Sequence, residues 1–392
     1  LFLRIILPAQ IFFLAGSSVL ALVYMRKSFT IPAFVPLVYN GMIIAVGLVM
    51  IDSGMEGFCW GVLLGSVLGN FLLPAWAAVR SGGLYMVFGF SHPKLKQFIL
   101  MALPLMLGQS IVILDEQLLR IFGSLLKEGA VSWLNYARRI VLVPVGVVAQ
   151  AAGVASYPFL ASLAVGKDVK RFNDTVNTAL VSAMSLIIPM SIWMAACSRS
   201  IIGLIFEQGG FTADDTRGTA LCLQVMLLAT GLWVLQQLVG RAFYARKDTL
   251  TPTILGTLAC LAGIPLFPWL GSLWGAPGVA LAGVLAMGGY CFLLVMAWTR
   301  KFGSRCFRNL AKAALISGFL GALALLPSLP LLMGVRSIWP GGGLMSILLA
   351  LALSGGAFCL SYYFIAVRLS PRLVAPITSR LERLLPSKRR TA

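Results

Sequence analysis

Apolar stretches of about 20 residues recur along the chain, separated by short polar turns. At 1.5 Å of rise per residue, that length as helix crosses about 30 Å of hydrocarbon. Eleven such spans are expected, at approximately 5–25, 33–51, 57–79, 97–125, 130–160, 173–197, 214–244, 250–270, 277–299, 309–333 and 343–367. Pro36, Pro74, Pro104, Pro144 and Pro189 fall inside them. Packed membrane helices tolerate such residues because neighbours re-satisfy the freed backbone groups. The runs are too long and too uniformly apolar for barrel strands, which are short and alternate. The fold class is therefore all-α and polytopic.

Composition agrees: 59% of the 392 residues are hydrophobic, 11% are charged, and the mean hydropathy is +0.93. A net charge of +19 first raises nucleic acid as a partner, but its distribution argues against one. Of 31 basic residues, 22 fall in alternate turns and the tail (from Arg26 and Lys27 to the seven from Arg368 onward), five fall on the other side, and four lie within spans. The positive-inside rule makes the rich side cytoplasmic, which places the C-terminus inside and Leu1 outside. The tail then lies near anionic lipid. Seven cysteines without paired spacing read as small packing residues, and the single histidine, His92, cannot assemble a metal site. No cofactor and no metal is expected.

"YMRKSFTIPA" at 24–33 and "YARKDTLTPT" at 244–253 share Tyr, Arg, Lys and Pro in register, each joining an inward-running span to an outward-running one. Spans 1 and 2 thus match spans 7 and 8. Duplicated lobes are a recurring plan of secondary transporters. With a six-span unit, residues 1–80 are the second half of an N-terminal lobe, 97–299 a six-helix C-terminal lobe, 309–367 an appended pair and 368–392 a basic cytoplasmic tail. The expectation is a 6+6+2 scaffold of fourteen helices whose first three are absent from this chain.

The chemistry concentrates in the hairpin of spans 4 and 5, whose outer turn is expected near Lys127 to Gly129. Counted from Glu128, Asp115 and Glu116 on one arm and Arg138 and Arg139 on the other lie at nearly one depth, about 15–20 Å below the turn. An ionisable group there costs at least about 2.5–3.5 kcal/mol, so each needs a partner or water. Consecutive helical residues point about 100° apart, so one arginine is expected to pair with Asp115 or Glu116 while the other faces a cavity. With Arg120 the hairpin has one surplus positive charge, which suits an anion, and a guanidinium fork matches phosphate oxygens. The plainer alternative is an ion-pair cluster that only fixes helix register. Pro144 and Gly146, just beyond, are candidate hinge positions. "GGFTADDT" (209–216) contains a capping box, Thr212-x-x-Asp215, that opens a helix. Asp214 and Asp215 lack a second acidic cluster to complete a metal enzyme, and Asp248 reads as part of a charged turn.

"FTIPAFVPLVYN" (29–40), "GAVSWLNYARRI" (129–140), "IFEQGGFTADDT" (205–216) and "RAFYARKDTLTP" (241–252) together resemble the bacterial lipid II flippases, the MurJ/MviN family of the multidrug/oligosaccharidyl-lipid/polysaccharide exporter superfamily. The resemblance is carried by roughly residues 1 to 260, and by hydropathy alone beyond them. It implies two lobes around a cationic cavity, two final helices beside a lipid-facing groove, and a location in the bacterial inner membrane. It also implies translocation of undecaprenyl-pyrophosphate-linked disaccharide-pentapeptide by alternating access for peptidoglycan synthesis, by a monomer that is not an enzyme, with the glycolipid and membrane lipids as partners. The family pattern after Tyr-Ala is Asp-Arg; Arg139 matches the arginine and Arg138 stands at the acidic position. Arg139, Arg138 and Arg120 are thus the candidate substrate contacts, with Asp115 and Glu116 as charge partners. Alternatives are an exporter of another polysaccharide-lipid or of a cationic drug, or an inactive truncated paralogue serving as a scaffold.

Overall fold

In a computed structural model, the protein is described over residues 2–25, 30–80, 95, 99, 114–165, 168–338 and 343–369; the side chains of 24–25, 150–165, 336 and 338 fall outside the description. Most of the fourth expected span, Pro104, His92, the link at 26–29 and the tail beyond Leu369 lie outside these residues. The described residues are helical, with no strand among them. Among them, eight helices are long and apolar enough to cross a membrane, or up to ten if each of two bent pairs is one span. This is a polytopic helical membrane protein.

The chain forms two compact units, Leu1–Leu95 and Lys96–Ala392. In the first, α1 (Phe2–Ile6) and α2 (Ala9–Met25) precede α3 (Thr30–Val49), and α4 (Met55–Gly65) continues through a π-helical segment, Ser66–Leu72, into α5 (Leu73–Arg80). The widened turn sits directly ahead of Pro74, whose ring and missing N–H prevent a regular helical bond there. Val19, Val23, Ala77 and Ala78 are buried together. Gly16 lets α2 rest against the π segment: a Cβ there would lie 2.0 Å from the Asn70 carbonyl oxygen.

In the second unit, α6 (114–124) and α7 (Ala130–Val165) form the hairpin, with its turn at 125–129. They are followed by α8 (Val169–Ala196), α9 (Ser198–Phe206), α10 (Ala213–Leu227), α11 (Thr230–Ala245), α12 (Leu250–Gly263), α13 (Leu266–Trp274), α14 (Ala276–Phe302), α15 (Leu310–Ile338) and α16 (Gly343–Leu369). A continuous core draws on α7, α8, α10, α11, α13 and α14, and includes fully buried Phe172, Phe243, Phe267 and Trp298. The predicted capping box opens α10: the Thr212 hydroxyl accepts from the Asp215 N–H, and the Asp215 carboxylate accepts from the Thr212 N–H at 2.9 Å. The same carboxylate accepts the Trp133 indole N–H at 2.8 Å, tying α7 to α10.

Two helix pairs are sharply bent. Helices α10 and α11 meet at 46°, and α12 and α13 at 45°. At the first bend the Thr230 hydroxyl donates to the Leu227 carbonyl at 2.8 Å and also contacts the Ser191 hydroxyl of α8, so a carbonyl released from the helical ladder keeps a partner. At the second bend Pro265 supplies no N–H and heads the new helix. Helix α7 runs unbroken through Pro144 and Gly146.

Helices α15 and α16 pack against each other and dock on α8: the Tyr362 hydroxyl donates to the Ser185 carbonyl at 2.7 Å, and the Trp193 indole to the Ser354 hydroxyl at 3.3 Å.

The close approach at Gly16 gives a direct test. Gly16→Val wedges α2 away from 66–72 and is expected to cost about 1–3 kcal/mol, the usual range for overpacking. Gly41→Val, where a Cβ meets nothing within 4 Å, is expected to leave thermal unfolding in detergent unchanged.

Candidate functional site

The hairpin brings its charges together as the count from the turn predicts, and it separates them in a definite way. Arg138 Nη1 donates to Asp115 Oδ2 at 2.7 Å, with the two side chains 13% and 24% exposed. Arg120 pairs with Glu116 one turn earlier on α6, both substantially exposed. Arg139 points away from Arg138, is exposed, and among the described residues has no hydrogen-bond or ion-pair partner. Two of the hairpin's three arginines are neutralised in place, and Arg139 is the surplus guanidinium.

Helix α7 takes its rotation from the end near the turn. A Cβ on Gly218 would lie 2.5 Å from the Trp133 ring, so the indole packs directly against α10, and the Lys127 ammonium lies 4.5 Å over its centroid. Five residues on, Arg138 faces inward; its guanidinium lies 5.8 Å from the Trp233 ring of α11.

Arg138 and Asp115 line a cavity of about 440 Å³ within the second unit. Its walls come from α6, α7, most of the length of α11, α12, the start of α13 and the middle of α14. Trp233, Tyr244, Phe267 and Tyr290 supply aromatic surface, and Gln236, Gln237, Thr249 and Thr253 supply polar groups. Arg139, Arg120 and Glu116 are not among the lining residues. Pro144 is buried and Gly146 half-buried on α7, flanking the lining residue Val145. The described residues contain no group of His, Cys, Asp and Glu able to hold a metal ion.

Sequence reasoning gave the segment between α11 and α12 as a charged turn but missed the contacts it makes. Asp248 caps α12 by accepting from the Thr251 N–H at 3.1 Å and its hydroxyl at 2.8 Å, and it takes the Lys301 ammonium at 2.7 Å. Beside it, the Arg246 guanidinium lies 4.6 Å from the Phe172 ring and 5.4 Å from the Phe302 ring. Asn173, buried, accepts from the Trp298 indole and donates to the Phe302 carbonyl at 2.7 Å. The charged turn thus binds α8, α11, α12 and α14 at one end of the cavity. Asp248-x-x-Thr251 was the available signal, since it is a capping pattern. Burial alone would raise the Asp248 carboxyl, but the Lys301 ammonium and the Thr251 N–H and hydroxyl outweigh it, holding it below the ordinary carboxylate range.

Apolar helices, two pairs of them sharply bent, around a cavity holding a mostly buried ion pair define a polytopic membrane protein of transporter type. The comparisons with known proteins make the family specific. The family model for the lipid II flippase MurJ matches residues 1–354. A probable lipid II flippase MurJ of Rhizobium meliloti is 30% identical over 264 residues, 65% of this chain and 48% of that protein. The corresponding protein of Bdellovibrio bacteriovorus is 25% identical over 231 residues, 59% of this chain and 44% of that protein. A solved structure of a lipid II flippase MurJ in an inward closed conformation matches with a TM-score of 0.72 at 22% identity, covering 94% of this chain and 74% of that one, which shows the shared fold. The chain belongs to the MurJ lipid II flippase family, a family of transport proteins and not of catalysts. It spans about half the length of the curated relatives it matches.

Two outcomes are expected. Arg138→Ala strands Asp115 in the cavity and should destabilise the unit by about 3 kcal/mol, and adding Asp115→Asn should recover most of that, as read from thermal unfolding. Because the Asp248 carboxyl is depressed in the folded state, its contribution is present above the unfolded value of about 3.9 and is lost as pH falls through the lower folded one. The stability gap between the native protein and Asp248→Asn should therefore be constant near neutral pH and close below about pH 4.

Proposed function

We propose that the chain acts in lipid II translocation, carrying the undecaprenyl-pyrophosphate-linked glycolipid across the bacterial inner membrane by alternating access for peptidoglycan synthesis. The observation that carries this reading, beside family membership, is the surplus Arg139. A guanidinium about 15 Å below the hairpin turn with no protein partner among the described residues needs an anion or water to be stable there. A pyrophosphate is the anion of this substrate, and the guanidinium fork can take two of its oxygens at once. Arg138, held by Asp115, shapes the adjacent cavity wall, and Arg120, held by Glu116, flanks it.

In this reading residues 97–299 form the six-helix lobe and 309–367 an appended pair beside which the polyprenyl tail stays in lipid. The basic turns and tail face the cytoplasm, and α7 flexes at Pro144 and Gly146. The chain works as a monomer, catalyses no covalent step and carries no cofactor. A membrane potential supplies about 2.3 kcal/mol per charge per 100 mV, enough to bias a two-state transporter.

The test is expression of the gene product in bacteria depleted of their own lipid II flippase. The native protein should restore growth, Arg139→Ala should not, and Arg139→Lys should restore it partially, because the charge remains while the fork is lost. Loss of one charge-assisted contact of about 2 kcal/mol corresponds to roughly 30-fold weaker headgroup binding. Full rescue by Arg139→Ala would remove the proposed contact, and restored growth without lipid II transport in vesicles would favour another polysaccharide-lipid as cargo.

A further inference from the structure

A second cavity, of about 450 Å³, lies where three chain reversals of the second unit meet: the turn of the α6–α7 hairpin, the start of α10 and the turn from α13 into α14. The ends of apolar helices collect where hydrocarbon gives way to headgroups, and tryptophans mark that level. Trp274 lines the cavity and is exposed, as is Trp269 earlier on α13. The buried Trp133 ring supplies an apolar wall. Three charged side chains also line the space, Lys127, Asp214 and Arg217, all exposed and none with an ion-pair partner among the described residues. Asp215, next to Asp214, is already taken by the Thr212 N–H and the Trp133 indole. The Lys127 ammonium is held at the cavity by the Trp133 ring, 4.5 Å below it. Helix α14 begins at the cavity and adds the positive end of its dipole. Two cations and a helix start thus face a single free carboxylate. On α10, Asp214, Arg217 and Leu221 are spaced by three and four residues and so share one face, which passes from charge to exposed apolar surface.

We infer that this cavity binds the headgroup of a membrane phospholipid of the phosphoethanolamine class, with the phosphate on Lys127 and Arg217 and the ammonium on Asp214. A phosphate diester bridges two cations through its free oxygens, and the tethered ammonium answers the carboxylate one turn away on α10. The acyl chains continue along the exposed Leu221 and Trp274, surface for which a water-soluble phosphate compound has no use. The inference is independent of lipid II translocation: Arg138 and Arg139 lie about 15 Å further along α7, and the occupant here is a resident lipid that ties three helix ends together.

Native mass spectrometry of the full chain in detergent, equilibrated with one phospholipid at a time and with acyl chains matched, reads binding by headgroup. Phosphatidylethanolamine should bind about threefold more tightly than phosphatidylcholine, whose methylated nitrogen donates no hydrogen bond to Asp214, and than phosphatidylglycerol, which brings no cation. Asp214→Asn should abolish that preference. Lys127→Gln combined with Arg217→Gln should weaken all three lipids about tenfold, in a protein whose circular dichroism shows it still folded. Soluble phosphoethanolamine at the lipid's concentration should displace none of it. Quenching of the Trp274 emission, isolated by difference against Trp274→Phe, by phosphatidylethanolamine brominated near the top of its chains gives a second readout that places the lipid at this cavity, and it should fall in the Lys127→Gln, Arg217→Gln protein. Binding blind to the headgroup, a preference that survives Asp214→Asn, binding and quenching that survive the double replacement, or displacement by soluble phosphoethanolamine overturns the site.

Discussion

A charge in hydrocarbon has to be answered, and the second unit is organised around how its charges are answered. Arg138 is met by Asp115 from the facing helix, with Trp233 beside it, and the pair fixes both the separation of α6 and α7 and the wall of the cavity behind them. Replacing such a pair with well-fitting apolar groups often costs nothing, whereas removing one member costs several kcal/mol. Retention of the pair at the cavity surface therefore speaks for specification of geometry more than for raw stability. The same constraint explains why Arg139 is informative: it sits at the same depth and finds no protein answer among the described residues.

Much of the fold was legible from period and length. Continuous apolar runs have one stable solution in lipid, and among the described residues eight helices fall on expected spans, two bent pairs fall on the seventh and eighth, and the fourth is described only from 114 onward. The capping box at Thr212 was legible because it is local: three residues decide it. The depth match between Asp115 and Arg138 was legible because helical rise is constant. Which arginine would pair was not, since it depends on the rotation of α7 about its axis. That rotation is set by a contact distant in sequence, Trp133 against Gly218 with Asp215 on the indole N–H.

The cavity was hidden for the same reason. Gln237 and Tyr290 sit more than 50 residues apart in apolar surroundings, and nothing in their neighbourhoods marks them as facing each other across a space. Of the two breaks, Pro265 advertises one, whereas the other at 228–229 carries no proline and is held by a hydroxyl pair, Thr230 and Ser191, from two helices. The turn at 246–249 read as a charged turn and no more, yet Arg246 against two aromatic rings and Asp248 under Lys301 make it a junction of four helices.

The two bent pairs have a mechanical consequence. A continuous helix transmits any tilt along its full length, but a pair joined at about 45° acts as two levers with a common fulcrum. The α10 lever is anchored by Trp133 and the capping box, and the levers α11 and α12 form part of the cavity wall. Small rotations about the two bends would therefore change the width of the chamber.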